Sequence, residues 1–188
     1  MDEDRIRWDR RYARASTASP QVPVALADRP DLVDALPRAG RALDIAAGTG
    51  ATALWFARRG LDVCALEISE RAVELLERSA AGAGVAHRLE VRWVDLDAGL
   101  PADLHDLDVV ICQRFRDVGL YPAIVDALAP GGIGIVTVLS SVGRPGPPGT
   151  FQARPGELLQ AFDRPETELL HHAENDGLAS AVFRRVGR

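Results

Sequence analysis

The pattern of apolar and polar positions along the chain predicts strands and helices in alternation. Short, nearly continuous apolar runs end in turn residues, and stretches of helical periodicity lie between them. The runs predict five strands, over residues 41–46, 61–68, 89–93, 107–112 and 133–139. Longer helices are predicted over 51–59, 70–81 and 119–129, the last one stopped by Pro130-Gly131-Gly132. Such alternation predicts a parallel sheet with helices on both faces.

The C-terminal stretch breaks this alternation. Two strand-like segments, about 166–173 and 178–186, are joined by Asn175-Asp176-Gly177, and Asp-Gly between two strands is a strong hairpin signal. A hairpin cannot be parallel, so the last strand is expected to run antiparallel to its neighbour. We therefore expect an α/β fold with a mostly parallel sheet of about seven strands and a reversed C-terminal strand.

Composition places the chain among ordinary globular proteins. Its 188 residues, 47% apolar and 26% charged, can sustain one core without disulfides or metal. We expect a single domain over residues 1–188, with an N-terminal cap segment (1–38) and a core (39–188). Short helices are predicted over 4–14, 30–36 and 155–162, and loops over 15–23 and 140–150.

Charge and cysteine content argue against several classes of function. The net charge of −5 gives no basic field of the kind that nucleic-acid binding requires. The charges of residues 4–11 alternate in sign, which indicates a solvated helix face. No apolar run approaches the ~18 residues of a membrane span, and no secretory pattern is present. Cys64 and Cys112 lie in apolar runs, which favours buried thiols. We expect a cytoplasmic protein with no nucleic-acid, membrane or metal partner.

The most specific motif is a glycine-rich turn at residues 42–50, Ala-Leu-Asp-Ile-Ala-Ala-Gly-Thr-Gly. An apolar strand enters a turn of small residues, and a helix begins behind it. Gly48 and Gly50 let a ligand approach the backbone closely and can adopt positive φ, and Ala46 also leaves room. Ligands of doubly wound sheets bind at the carboxyl ends of the strands, so this turn predicts a cofactor site.

Three carboxylates follow at successive strand ends: Asp44, Glu67 and Asp95. Asp44 lies just before the glycines, where a carboxylate repels a pyrophosphate and suits a cation such as an amino-acid ammonium. Glu67 can accept hydrogen bonds from both hydroxyls of a ribose. Asp95 can accept one from the amine of an adenine, although Asp95 or Asp97 could also cap the next short helix. S-adenosylmethionine has an ammonium, a ribose and an adenine, and it has no phosphate.

On these residues the sequence resembles the class I S-adenosylmethionine-dependent methyltransferases, which implies a Rossmann-like methyltransferase fold. The resemblance covers roughly residues 41–139, through the glycine turn, Glu67, Val94-Asp95-Leu96 and Leu-Ala-Pro-Gly-Gly at 128–132. It looks closest to the small tellurite-resistance-type branch, whose flanking motifs resemble Trp8 with Arg11-Tyr12 and residues 154–159. Leu139-Ser140-Ser141 departs from the Glu-Thr-Phe-like sequence frequent in that branch, so its substrate class carries over poorly.

The strand ends and the resemblance together name a candidate site. The cofactor-binding candidates are Asp44, Ala46, Gly48, Thr49, Gly50, Glu67, Ile68, Asp95, Leu96 and Gln113. The substrate candidates are Trp8, Tyr12, Arg114, Asp117 and Glu157, with residues 1–23 and 140–156 expected to wall the pocket. The expected acceptor is a small molecule. No residue is nominated as a general base, and catalysis is expected to rest on proximity and desolvation.

Two alternatives remain open on the sequence. Gly-x-Gly-x-x-Ala at residues 48–53 also matches a dinucleotide fingerprint, as in an NAD(P)-dependent oxidoreductase. Against it, the chain has no Tyr-x-x-x-Lys, and Tyr12 and Tyr121 are not placed for hydride transfer. The second alternative is a non-catalytic S-adenosylmethionine-binding protein, because no base is evident.

Overall fold

The computed structural model describes residues 2–144, 149 and 151–187. In chain order its α-helices are α1 (Asp2–Tyr12), α2 (Pro30–Ala35), α3 (Ala51–Arg59), α4 (Glu70–Gly82), α5 (Tyr121–Ala127) and α6 (Glu157–Phe162). Its strands are β1 (Arg41–Ile45), β2 (Asp62–Glu67), β3 (Leu89–Trp93), β4 (Leu107–Gln113), β5 (Leu128–Ser140), β6 (Gln152–Ala153), β7 (Thr167–Asn175) and β8 (Leu178–Arg185).

The chain groups into two compact units. Unit 1 comprises Met1–Val22 and Pro37–Pro101, and unit 2 comprises Pro23–Leu36 and Ala102–Arg188. The residues of the expected N-terminal cap segment are thus divided between the two groups. A single domain with a separate cap remains a prediction.

Unit 1 is built on three parallel strands, with β2 paired to both β1 and β3. Leu43 of β1 lies opposite Cys64, and Ala65 lies opposite Val91 of β3. Helices α3 and α4 follow β1 and β2, as the sequence predicted, and α1 packs against α4. Ser69 caps α4, because its hydroxyl accepts a hydrogen bond from the Ala72 N–H at 3.1 Å. The fully buried side chains of this unit include Leu43, Ile45, Leu54, Phe56, Leu66 and Leu76.

Unit 2 contains the reversed strand that the hairpin signal predicted. Strand β5 pairs in parallel with β4 and with the short β6, whereas β8 is antiparallel to both β5 and β7. Phe162 of α6 stacks on Phe183 of β8, with ring centroids 4.3 Å apart. The fold class is therefore confirmed as a mixed α/β fold with mostly parallel strands and an antiparallel C-terminal strand.

The Pro130-Gly131-Gly132 segment does not stop a helix that reaches residue 129. Helix α5 ends at Ala127, and these residues lie inside β5, where the register with β4 shifts. The cause is close backbone approach: a Cβ on Gly132 would lie 2.6 Å from the Leu107 carbonyl oxygen. The pairing of β4 with β5 requires glycine at this position. This requirement outweighs the helix-stop signal of the local sequence.

Two apolar side chains of unit 1 are only partly buried. Trp93 of β3 is 53% exposed, and its indole N–H donates to the Ile68 carbonyl at 2.7 Å. Val73 of α4 is half-buried. Cys64 and Cys112 are both buried, as expected. The predicted loop over 140–150 lies partly outside the described residues.

Candidate cofactor-binding site

The glycine turn of unit 1 joins the end of β1 to the start of α3. Ala46, Gly48 and Gly50 all have positive φ, at 54°, 57° and 85°. A Cβ on Gly48 would lie 2.7 Å from the Tyr12 hydroxyl, and one on Gly50 would lie 2.5 Å from Leu76. The turn therefore needs glycine both for its backbone conformation and for its packing against α1 and α4.

Asp44, near the end of β1, is a buried carboxylate with an unsatisfied oxygen. It is 2% exposed and accepts a hydrogen bond from the Ala53 N–H of α3. Its Oδ2 has no hydrogen-bond partner among the described residues. Burial, with a smaller contribution from the Glu67 charge, raises the pKa of Asp44 to about 7. An unpaired buried oxygen is costly for the fold, and a cationic ligand would satisfy it.

Glu67, the last residue of β2, is held by the backbone around the turn. Its Oε2 accepts from the Gly48 N–H at 2.8 Å, and its Oε1 accepts from Ile68 and Ser69 at 2.9 Å each. Burial raises the pKa of Glu67, and these backbone hydrogen bonds oppose the shift. A carboxylate offers about four acceptor positions, so three bonds leave about one for a ligand. Accepting both ribose hydroxyls would require Glu67 to release a backbone N–H.

Asp95 follows β3 and caps the short 3₁₀ helix Leu96–Ala98. Its Oδ1 accepts from the Asp97 N–H at 3.0 Å. The capping alternative for Asp95 is therefore confirmed, and its contact with adenine remains a prediction. Leu96 is buried and Ile68 is half-buried.

Helix α1 places two aromatic rings at this site. Trp8 and Tyr12 stack with ring centroids 6.1 Å apart, and the Tyr12 hydroxyl lies over Gly48. Burial and the charge of Glu67 raise the pKa of Tyr12 to about 12, so the phenol keeps its proton at neutral pH. The structure places Tyr12 against the glycine turn, and its contact with substrate remains a prediction.

Asp9 supports the site, although no sequence motif marks it. Its Oδ1 accepts from the Ser69 hydroxyl at 2.7 Å and from the Arg71 N–H at 3.3 Å. These bonds tie α1 to the start of α4. Asp9 thus has a specific partner and does not belong to a uniformly solvated face, and no local signal distinguished it from the neighbouring charges.

Comparison with known proteins identifies the type of domain. Residues 42–132 match the family model described as a methyltransferase domain. The chain therefore carries a methyltransferase domain over those residues. No curated protein matches the chain.

Solved structures share the fold of this methyltransferase. CcbJ methyltransferase from Streptomyces caelestis is 18% identical, with a TM-score of 0.68 over 88% of this chain and 91% of that chain. TehB from Haemophilus influenzae is 18% identical, with a TM-score of 0.69 over 84% of this chain and 62% of that chain. The [4+2]-cyclase SpnF is 20% identical, with a TM-score of 0.69 over 84% of this chain and 80% of that chain. At these identities the likeness shows the fold alone.

Two further site candidates, Gln113 and Asp117, lie near the end of β4 in unit 2, and both accept hydrogen bonds from backbone N–H groups. The Gln113 side-chain oxygen accepts from the Val24 N–H at 2.9 Å. Asp117 caps the 3₁₀ helix Val118–Leu120, with its Oδ1 2.8 Å from the Gly119 N–H. Cofactor contact by Gln113 and substrate contact by Asp117 remain predictions.

Glu157, at the start of α6, is fully engaged by its neighbours in unit 2. Its Oε1 accepts from Arg116 Nε at 2.7 Å and from the Tyr121 hydroxyl at 3.1 Å. Its Oε2 accepts from Arg116 Nη2 at 2.7 Å and from the Arg154 N–H at 3.3 Å. Hydrogen bonding to Arg116 lowers the pKa of Glu157. With its acceptor positions filled, this geometry favours a structural role for Glu157 over the predicted substrate contact.

Across residues 2–144, 149 and 151–187, no group of three or more His, Cys, Asp or Glu side chains could hold a metal ion. No helix in that part of the chain is long and apolar enough to cross a membrane.

Proposed function

We propose that this methyltransferase acts on a small-molecule acceptor and that unit 1 holds S-adenosylmethionine. The observation that carries the cofactor assignment is the Oδ2 of Asp44, which is buried beside the glycine turn and has no hydrogen-bond partner in the part of the chain that the structure describes. An ammonium group can satisfy this oxygen, whereas the pyrophosphate of NAD(P) would be repelled by it.

The residues of the site fit the other parts of the cofactor. Gly48 and Gly50, with Ala46 and Thr49 in the same turn, provide a backbone surface without large side chains for close approach. Glu67 has about one acceptor position left for a ribose hydroxyl. The adenine is assigned to Ile68, Asp95 and Leu96, which follow β2 and β3.

S-adenosylmethionine, when bound, supplies a methyl group on a positively charged sulfur. A lone pair of the acceptor can attack the methyl carbon and displace the sulfur. The protein's part is to align the acceptor with that methyl group and to exclude water. Burial raises the pKa of both Tyr12 and Tyr121, so neither phenol serves as a base at neutral pH. We assign no general base, and an acceptor that is already nucleophilic fits this arrangement best.

The small-molecule assignment is supported by charge and by surface chemistry. The net charge of −5 disfavours a nucleic-acid acceptor. The rings of Trp8 and Tyr12 stack on each other, and we propose that they contact a flat acceptor. A cytoplasmic location belongs to the same proposal.

Two measurements test the proposed function. A thermal-shift panel should show stabilisation by S-adenosylmethionine and S-adenosylhomocysteine and none by NADP. The protein should also transfer tritiated methyl from S-adenosylmethionine to a cell extract, with the label passing a filter that retains macromolecules. Label found only in the retained fraction would contradict the small-molecule acceptor, and stabilisation by NADP alone would contradict the cofactor.

A further inference from the structure

We propose that Arg114 binds an anionic group, a carboxylate or a phosphate, on the methyl acceptor. This inference rests on the proposed function and names the class of its substrate. Arg114 directly follows β4, and ligands of doubly wound sheets bind at the carboxyl ends of strands. The residue is exposed, and among the described residues no hydrogen bond or ion pair engages its guanidinium group.

The backbone at Arg114 is held in a conformation that a long side chain rarely adopts. Its φ is +59°, and among the described residues only three other non-glycine residues, Ala46, Asp106 and Asp176, have positive φ. Aspartate tolerates this region, and Ala46 is a small residue in the glycine turn. The Arg114 N–H donates to the Thr137 carbonyl of β5 at 2.6 Å, which fixes the strained conformation. Glycine would relieve this strain, so an arginine here indicates that the side chain is used.

The other charged side chains after β4 already have partners in unit 2. The charge of Arg116 is matched by Glu157 in a bidentate ion pair that is mostly shielded from water. Asp117 is engaged in its helix cap. Of the two arginines of this segment, Arg114 is therefore the one whose guanidinium group has no ion-pair partner among the described residues.

The chemistry of the guanidinium group sets the class of ligand. Arginine presents N–H donors in a planar fork that matches two oxygens of a carboxylate or a phosphate. A neutral acceptor would leave this charge unused. The structure thus favours an acidic acceptor, which would be oriented by its anionic group while another of its atoms receives the methyl group.

Three probes that share a benzene ring distinguish a carboxylate, a phosphate and a neutral amide. They are benzoate, phenyl phosphate and benzamide. Their affinities are measured by calorimetry for the wild type, Arg114→Gln and the control Arg164→Gln, each alone and saturated with S-adenosylhomocysteine. Arg164 is another exposed arginine of unit 2, so its variant removes the same charge elsewhere. We expect at least one anion to bind the wild type ten-fold more tightly than benzamide does. Arg114→Gln should lose this preference and Arg164→Gln should keep it, and the tighter anion identifies carboxylate or phosphate.

The inference is overturned if benzamide binds the wild type as well as both anions do, or if Arg114→Gln keeps the preference. It is equally overturned if no probe binds. Failure of S-adenosylhomocysteine to bind the wild type would contradict the proposed function, while the measurements on the protein alone would still decide the role of Arg114. If the backbone at Arg114 is strained, Arg114→Gly should melt at a higher temperature than Arg114→Ala, and the reverse order would contradict the strain assigned to this position.

Discussion

Glu157 in unit 2 and Asp44 in unit 1 are two carboxylates shielded from water, and they are satisfied in opposite ways. Glu157 accepts four hydrogen bonds from Arg116, Tyr121 and Arg154, and its pKa lies below the usual value. Asp44 has one oxygen without a partner among the described residues, and its pKa is raised to about 7. A carboxylate satisfied from within the protein stabilises the fold, whereas one left unsatisfied indicates a ligand site.

Glu67 lies between these extremes. Three backbone N–H groups bind it, and they join the glycine turn to the end of β2. Its remaining acceptor position points to a mixed role, partly structural and partly in ligand binding. Substituting Glu157, Glu67 and Asp44 one at a time therefore distinguishes effects on the free energy of unfolding from effects on cofactor affinity.

The largest effect is expected for the stability of Glu157→Ala. This variant leaves the mostly buried Arg116 and Tyr121 without their acceptor, which should cost about 3 kcal/mol in the free energy of unfolding. The affinity for S-adenosylhomocysteine should stay within two-fold. Urea unfolding and calorimetry measure the two quantities.

The matched control for that change is Glu168→Ala. Glu168 pairs with Arg184 on the surface, with 53% and 38% of the side chains exposed, so its loss should cost under about 1 kcal/mol. Equal destabilisation by both variants would show that the Glu157 cluster is no more than a surface ion pair.

The next effect in size is expected for cofactor affinity in Glu67→Gln. Loss of a hydrogen bond to a charged group should weaken S-adenosylmethionine binding by about 2 kcal/mol, or about 30-fold. The control Glu70→Gln changes an exposed residue of the first turn of α4 and should stay within two-fold. Wild-type affinity in a folded Glu67→Gln protein would move the ribose site away from β2.

The smallest effect is expected for Ser69→Ala. This variant removes the cap of α4 and the hydroxyl bond to Asp9, which should cost about 1 kcal/mol of stability. Glu67 binds the Ser69 backbone N–H and not its hydroxyl, so cofactor affinity should change by less than two-fold. A large loss of affinity, measured by calorimetry, would mean that the cap and not Glu67 organises the site.

Features that depend on local pattern were predictable from the sequence. The glycine turn, the strand ends that carry Asp44 and Glu67, the cap at Ser69 and the final hairpin are each contained in a few consecutive residues. Their geometry follows from backbone conformation and side-chain size, so a single sequence carries the signal.

Features that depend on distant partners were not predictable. The Arg116–Glu157 pair joins residues 41 apart, and the Ser69–Asp9 bond joins residues 60 apart. Nothing next to Asp9 or Glu157 in the sequence names these partners. Gly132 shows the same limit, because its helix-stop signal was outweighed by close approach of the Leu107 carbonyl across the strand pair.

We propose that Asp44, whose Oδ2 has no partner among the described residues, binds the ammonium of S-adenosylmethionine. Asp44→Asn keeps the size of the side chain and removes its charge, and Asp34→Asn makes the same change at an exposed position. Because the pKa of Asp44 is about 7, the wild-type carboxylate ionises as the pH rises from 6 to 8, and its attraction for a cation strengthens.

Calorimetry with S-adenosylmethionine at pH 6 and at pH 8, on variants shown to be folded by their thermal unfolding, tests this claim most directly. We predict that wild-type and Asp34→Asn affinity increase with pH. Asp44→Asn should bind about ten-fold or more weakly at pH 8 and show little dependence on pH. A folded Asp44→Asn protein with wild-type affinity and an unchanged pH profile would contradict the claim.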